Sequence, residues 1–215
     1  MTALLEPHGG QRVVREGVPL AEARSAVIMI HGRGARPESI LELVPHIGHS
    51  RAAYLAPAAS SGTWYPKSFL SPIEENEPGI SSGIAVVHSL IDEVVAAGIP
   101  TDRLMLVGFS QGACLMCTAA QRRPDRYGGV IAFSGGLIGP PGTTWSEDGS
   151  FQSTPVFFGC SDQDAHVPEA RVRESAAVLM RMGADVTTRI YPGMGHLVND
   201  DELTFARELL SRLSA

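Results

Sequence analysis

The chain has little cysteine, no long apolar run and no surplus of positive charge, and each shortage excludes something. Three cysteines in 215 residues, Cys114, Cys117 and Cys160, are an odd number and give no disulfide framework. Reduced thiols in the cytoplasm are the expectation. Cys114-x-x-Cys117 lacks the companion ligands of a zinc site, so both read as small apolar core residues. No apolar run approaches the ~20 residues that span a bilayer, so no stable membrane insertion is expected. The segment Met1 to Pro7 has no basic stretch followed by an apolar one, so no secretory signal is expected. A formal net charge of −6 leaves no basic patch for phosphates and argues against nucleic acid as a partner.

What is present is 44% hydrophobic residues, enough for one domain over residues 1–215 with a full core. Strand-like and helix-like segments alternate, the signature of an α/β fold with a mostly parallel sheet. Strands are expected at 25–30, 51–56, 103–108, 129–133, 155–159 and 185–191, with one or two more edge strands within 8–20. Helices are expected at 37–49, 81–97, 113–120, 167–182 and 199–213. In the second of these, Ile84, Val87, Leu90, Ile91, Val94 and Val95 form one stripe, with Ser81 or Ser82 as its cap and Gly98 as its end. Two long loops, 58–79 and 135–153, hold large apolar residues among Ser, Pro and Gly. Long structured loops in a compact domain are usually functional.

The sharpest local signal is Gly108-Phe109-Ser110-Gln111-Gly112. It follows a strand-like run and opens a helix-like one, the context of a nucleophile elbow. A serine hydroxyl needs a base, and His196, in the glycine-flanked turn after the last strand, is placed to reach it. The histidine needs an acid. The loop after the strand at 155–159 offers Asp162 and Asp164, and the order serine, acid, histidine is that of α/β-hydrolases. Asp162, Asp164 and His166 alternate as metal ligands would, but no further motif completes such a set, so no metal is expected. An oxyanion needs donors. The backbone N–H of Gln111 follows the nucleophile, and His31-Gly32-Arg33-Gly34 closes an earlier strand, offering that of Arg33.

With these pieces in place, the chain resembles the phospholipase/carboxylesterase family of α/β-hydrolases, which includes acyl-protein thioesterases and small bacterial carboxylesterases. The matching residues are His31-Gly32-Arg33-Gly34, the Ser110 pentapeptide, Asp162-x-Asp164-x-x-Val167-Pro168 and Gly193-Met194-x-His196. The resemblance implies an α/β-hydrolase fold: a mostly parallel central sheet, helices on both faces and no large separate lid domain. It implies Ser110 as nucleophile, His196 as base and Asp164, three residues before Val167-Pro168, as acid. It implies an oxyanion hole from the Arg33 and Gln111 amides. Ala113, Arg33 and Ala165 depart from the residues common in the family, and the Arg33 side chain can add positive charge at the site rim.

The expected activity is hydrolysis of short- to medium-chain carboxylic esters through an acyl-enzyme, with no cofactor. Thioesters or lysophospholipids are the alternative substrates, and a non-catalytic binding protein is the reading from another class. Trp64, Tyr65, Phe69, Leu70, Leu137 and Met194 are the candidates to line an acyl pocket. The expected partner is a small-molecule ester, with a homodimer left open.

Overall fold

The computed structural model describes residues 6–214. Its strands are β1 (Val13–Gly17), β2 (Ser25–Ile30), β3 (Ala52–Pro57), β4 (Leu104–Phe109), β5 (Gly129–Phe133), β6 (Pro155–Ser161) and β7 (Asp185–Tyr191). They form one sheet in the order β1-β3-β2-β4-β5-β6-β7. Only β1, the single strand found within 8–20, runs antiparallel, against β3. Every other pairing is parallel.

The sheet is covered on both faces. The helices are α1 (Pro37–Leu41), α2 (Val44–Ile47), α3 (Gly79–Ala96), α4 (Gln111–Arg122), α5 (Glu169–Arg181) and α6 (Asp200–Leu213). Strand β2 shows why both faces need helices, since all six of its residues are buried. Ala26, Ile28 and Ile30 alternate onto the core shared with α3, α4 and α5. Val27 and Met29 face the core shared with α1, α2 and α6. Continuous apolar strands of this kind are stable only between two helical layers.

Three details differ from the sequence expectations. The helix expected at 37–49 is two short helices, because Pro45 has no N–H to donate and its ring crowds the carbonyl four residues earlier. Helix α3 begins at Gly79 rather than Ser81, without a side-chain cap at Pro78. Ser82 lies inside the helix, fully buried, and its Oγ accepts from the His8 N–H. The 18 residues of α3, with mean hydropathy 1.4, are long and apolar enough to cross a membrane by composition, yet more than half are buried inside the protein.

Helix α6 starts as its sequence asks. Asn199 Oδ1 accepts from the N–H groups of Asp201 and Glu202, and the Glu202 carboxylate accepts from the Asn199 N–H. Because β2 to β7 run parallel, the turns after β2, β3, β4, β6 and β7 gather along one edge of the sheet. In open α/β sheets this is where ligands bind.

Candidate active site

Ser110 sits between β4 and α4 with φ 56° and ψ −123°, a backbone conformation rare outside glycine. Its N–H donates to Phe133 O on β5 (2.9 Å), which holds the turn against the sheet. A Cβ on Gly112 would stand 2.2 Å from Ile30 O and 2.4 Å from His31 O. Only glycine therefore lets α4 approach the end of β2.

His196 Nδ1 and Asp164 Oδ2 are 2.7 Å apart, and His196 Nε2 and Ser110 Oγ are 2.8 Å apart. A carboxylate only accepts, so Nδ1–H donates to Asp164 and Nε2 is left to accept the serine hydroxyl. The Asp164 side chain has no exposed surface. Burial works against its charge, but hydrogen bonds from His196 and from the backbone N–H groups of His166 (2.8 Å) and Val167 (3.0 Å) outweigh it. Together they hold the carboxyl below its ordinary range. The contact with His196 thus falls to Asp164. Asp162, the other candidate, accepts instead from the Gly193 N–H (2.8 Å). With Ser161 Oγ accepting from the Gly195 N–H (3.0 Å), it buckles the turn that carries His196.

Arg33 and Gln111 lie on adjacent strand-end turns. Neither backbone N–H has a hydrogen-bond partner among the described residues. For Gln111 this follows from its place in the first turn of α4, where amides have no carbonyl four residues earlier. His31 shapes the other turn from inside. Its Nδ1–H donates to Gly32 O (2.8 Å), and its Nε2 accepts from the Ala59 N–H (3.1 Å). Burial pushes its pKa down, so the neutral form that this pattern needs is favoured.

A cavity of about 470 Å³ opens over Ser110 and His196. Of the six apolar candidates, Tyr65 and Phe69 line it, together with Phe109 and Val167. The other four lie elsewhere. Trp64 is fully buried between His8 and His31, with Nε1–H donating to His31 O (2.9 Å). Leu137 is fully buried in the core, and Leu70 packs partly buried against it. Met194 turns its sulfur to Asn199 Nδ2 (2.9 Å). Large apolar side chains in a loop signal burial, and here most of that burial is packing.

Several contributors are not visible from the sequence pattern. The Gln111 carboxamide accepts from the Trp64 N–H (3.0 Å) and donates to Tyr65 O (2.7 Å), tying the long loop after β3 to the elbow. The Arg33 guanidinium donates to Pro66 O (2.9 Å) and to Lys67 O on the same loop. Arg171, nearly buried, donates to Leu137 O (3.0 Å), Gly139 O (2.6 Å) and Pro140 O (3.2 Å) and lies against Phe69, so it clamps the second long loop to the first. Cys114 lines the cavity, with its thiol pushed up to about 12 by burial, and burial pushes the Cys117 thiol up as well. Both remain protonated core residues. His166 sits at the cavity edge-on to His196, with ring centroids 4.7 Å apart.

Comparison with known proteins identifies the fold and the family. A solved structure of a phospholipase/carboxylesterase from Dyadobacter fermentans superposes with a TM-score of 0.90 at 37% identity, covering 97% of this chain and 99% of that one. The fold is thus that of an α/β-hydrolase. Acyl-protein thioesterase 1 of Gibberella zeae is 32% identical over 133 residues, 60% of this chain and 56% of the relative. A probable carboxylesterase of Oryza sativa is 30% identical over 138 residues, 64% of this chain and 51% of the relative. The chain thus spans little more than half the length of these two relatives. The sequence profile of the Phospholipase/Carboxylesterase family matches residues 11–214, nearly the whole chain. With the profile, the superposition and the strand-end turns in agreement, this chain belongs to the phospholipase/carboxylesterase family.

Proposed function

We propose that the protein hydrolyses short- to medium-chain carboxylic esters, with Ser110 as nucleophile, His196 as base and Asp164 as the acid that orients it. The observation that carries the reading is the unbroken line from Asp164 Oδ2 through both nitrogens of His196 to Ser110 Oγ, at 2.7 and 2.8 Å. His196 takes the hydroxyl proton as Ser110 attacks the ester carbonyl. Asp164 keeps the imidazole in the accepting tautomer and stabilises the imidazolium that forms. The Arg33 and Gln111 amides receive the oxyanion; each such donor is worth roughly 10²–10³ in kcat. His196 then gives its proton to the leaving alcohol, and water repeats the sequence on the acyl-enzyme. No step calls for a metal or an organic cofactor. The cavity volume and its walls of Tyr65, Phe69 and Val167 favour acyl groups of short to medium length.

Thioester hydrolysis is the second reading, favoured by the relative named acyl-protein thioesterase 1. A series of p-nitrophenyl esters from acetate to dodecanoate, set beside acyl-CoA and acyl-protein thioesters, tests both. The reading predicts the highest kcat/KM on an ester of eight acyl carbons or fewer. Higher values on the thioesters would replace it with the second reading, and turnover of neither would reject both.

A further inference from the structure

The cavity belongs to a chain of net charge −6, yet no carboxylate among the described residues lines it. Its wall holds Arg33, Lys67 and His166 instead. Lys67 is the only lysine in the chain; the other 16 of its 17 basic residues are arginines. Its position is built. The Lys67 N–H donates to Asn76 Oδ1 (2.8 Å), a side chain with no exposure, and its carbonyl accepts from Arg33. Asn76 Nδ2 also donates to Ser68 O (2.8 Å), so one buried amide holds the backbone on both sides of the Lys67 carbonyl. Lys67 is an exposed residue and lines the cavity.

Among the described residues neither Lys67 nor Arg33 has a carboxylate partner, whereas seven other arginines do. Among the described residues the Arg33 guanidinium meets the Pro66 and Lys67 carbonyls and the Tyr65 ring, 5.8 Å away. Carbonyls orient a guanidinium without cancelling its charge. Two uncancelled cations on the wall of a cleft focus a positive potential where an ester must enter. A lysine on its flexible stem also brings a compact charge to an anion without demanding planar geometry.

We propose that the ester taken by this site carries an anionic group, a carboxylate or a phosphate, whose charge Lys67 meets with Arg33 beside it. The proposal rests on the esterase reading and names its substrate class. The purified full chain is assayed on three matched pairs. The first is 4-(butanoyloxy)benzoate with 4-(butanoyloxy)benzamide, which puts a carboxylate on the alcohol side. The second is ethyl hydrogen adipate with ethyl hexanoate, which puts it on the acyl side. The third is 4-(butanoyloxy)phenyl phosphate with its phenol counterpart, which tests phosphate.

In at least one pair, kcat/KM favours the anionic member about tenfold, the scale of one charge-assisted hydrogen bond, chiefly through KM. Added salt shrinks that preference. Lys67→Met brings the ratio within the pair close to one, and Lys67→Arg restores most of it. Neutral members cleaved as well as the anionic ones, or a Lys67→Met variant that slows both members equally, would overturn the proposal. Ser110 labelled by a fluorophosphonate without any preference for the anion overturns this proposal alone. An unlabelled Ser110 and no turnover of any pair removes the esterase reading and this proposal with it.

Discussion

At the residue scale the informative comparison is between two aspartates two positions apart. Asp162 and Asp164 share a loop and a chemistry, and the residues alone leave the choice open; the family pattern prefers Asp164. The structure separates their contacts. Asp164 reaches His196 Nδ1, whereas Asp162 reaches the Gly193 N–H across 31 residues of sequence. Local spacing cannot show a contact of that kind. The account predicts that Asp164→Asn lowers kcat by about 10³–10⁴, because an amide no longer fixes the accepting tautomer. Asp162→Asn keeps a carbonyl to accept from Gly193 and should cost less than about tenfold. Steady-state kinetics on one ester reads both, and equal losses would contradict the assignment. Trp64 and Leu137 were equally opaque to pattern. Each is a large apolar residue in a loop, and only three-dimensional packing shows both in the core and Tyr65 at the cavity.

At the scale of elements, the strand boundaries were legible because fully buried parallel strands write themselves as apolar runs. The six expected strands from 25 to 191 recur within a residue or two at their ends. The exceptions have local causes, Pro45 within the expected 37–49 helix being the plainest. What the pattern could not give is how closely elements approach. Helix α4 meets the end of β2 at Gly112, where a Cβ would lie 2.2 Å from a backbone oxygen. Glycine to alanine inside a helix ordinarily stabilises by up to ~1 kcal/mol. Here two carbonyls of β2 and its turn would have to move, and the clash decides the sign. Gly112→Ala should lower Tm by roughly 5 °C or more. It should also lower kcat more than about tenfold, since it pushes the Gln111 amide away from the Arg33 turn. Thermal melts and ester kinetics on the same preparation check it. An alanine variant as stable and active as the parent would show that the approach is not tight.

At the scale of the whole molecule, buried titratable groups act in opposite directions. His8, His31 and His88 are pushed below their ordinary value of 6.5 by burial, so their neutral forms suit the fold and stability is lost as pH falls below that value. Glu202 works the other way. Its carboxyl is fully buried against Gly159 on β6. One oxygen accepts from Asn199, and the other has no partner among the described residues. Burial pushes it up from 4.5 to about 7. The folded protein therefore holds a proton that the unfolded chain releases, and Glu202 subtracts stability as pH rises through that window. Glu202→Gln keeps the helix cap and removes the titration. Its Tm advantage over the parent should grow from pH 5 to pH 8 by an amount corresponding to on the order of 2 kcal/mol. Thermal melts across that range read it directly, and an advantage that does not change with pH would contradict the account.

The claim on which everything else depends is that the turn between β4 and α4 presents a serine made nucleophilic by His196. Reaction of the folded protein with a fluorophosphonate, followed by intact mass and peptide mapping, tests it most directly. The account predicts one adduct per chain, on Ser110, lost in Ser110→Ala and formed far more slowly in His196→Ala. A folded protein that takes no adduct, or takes it on another residue, would contradict it.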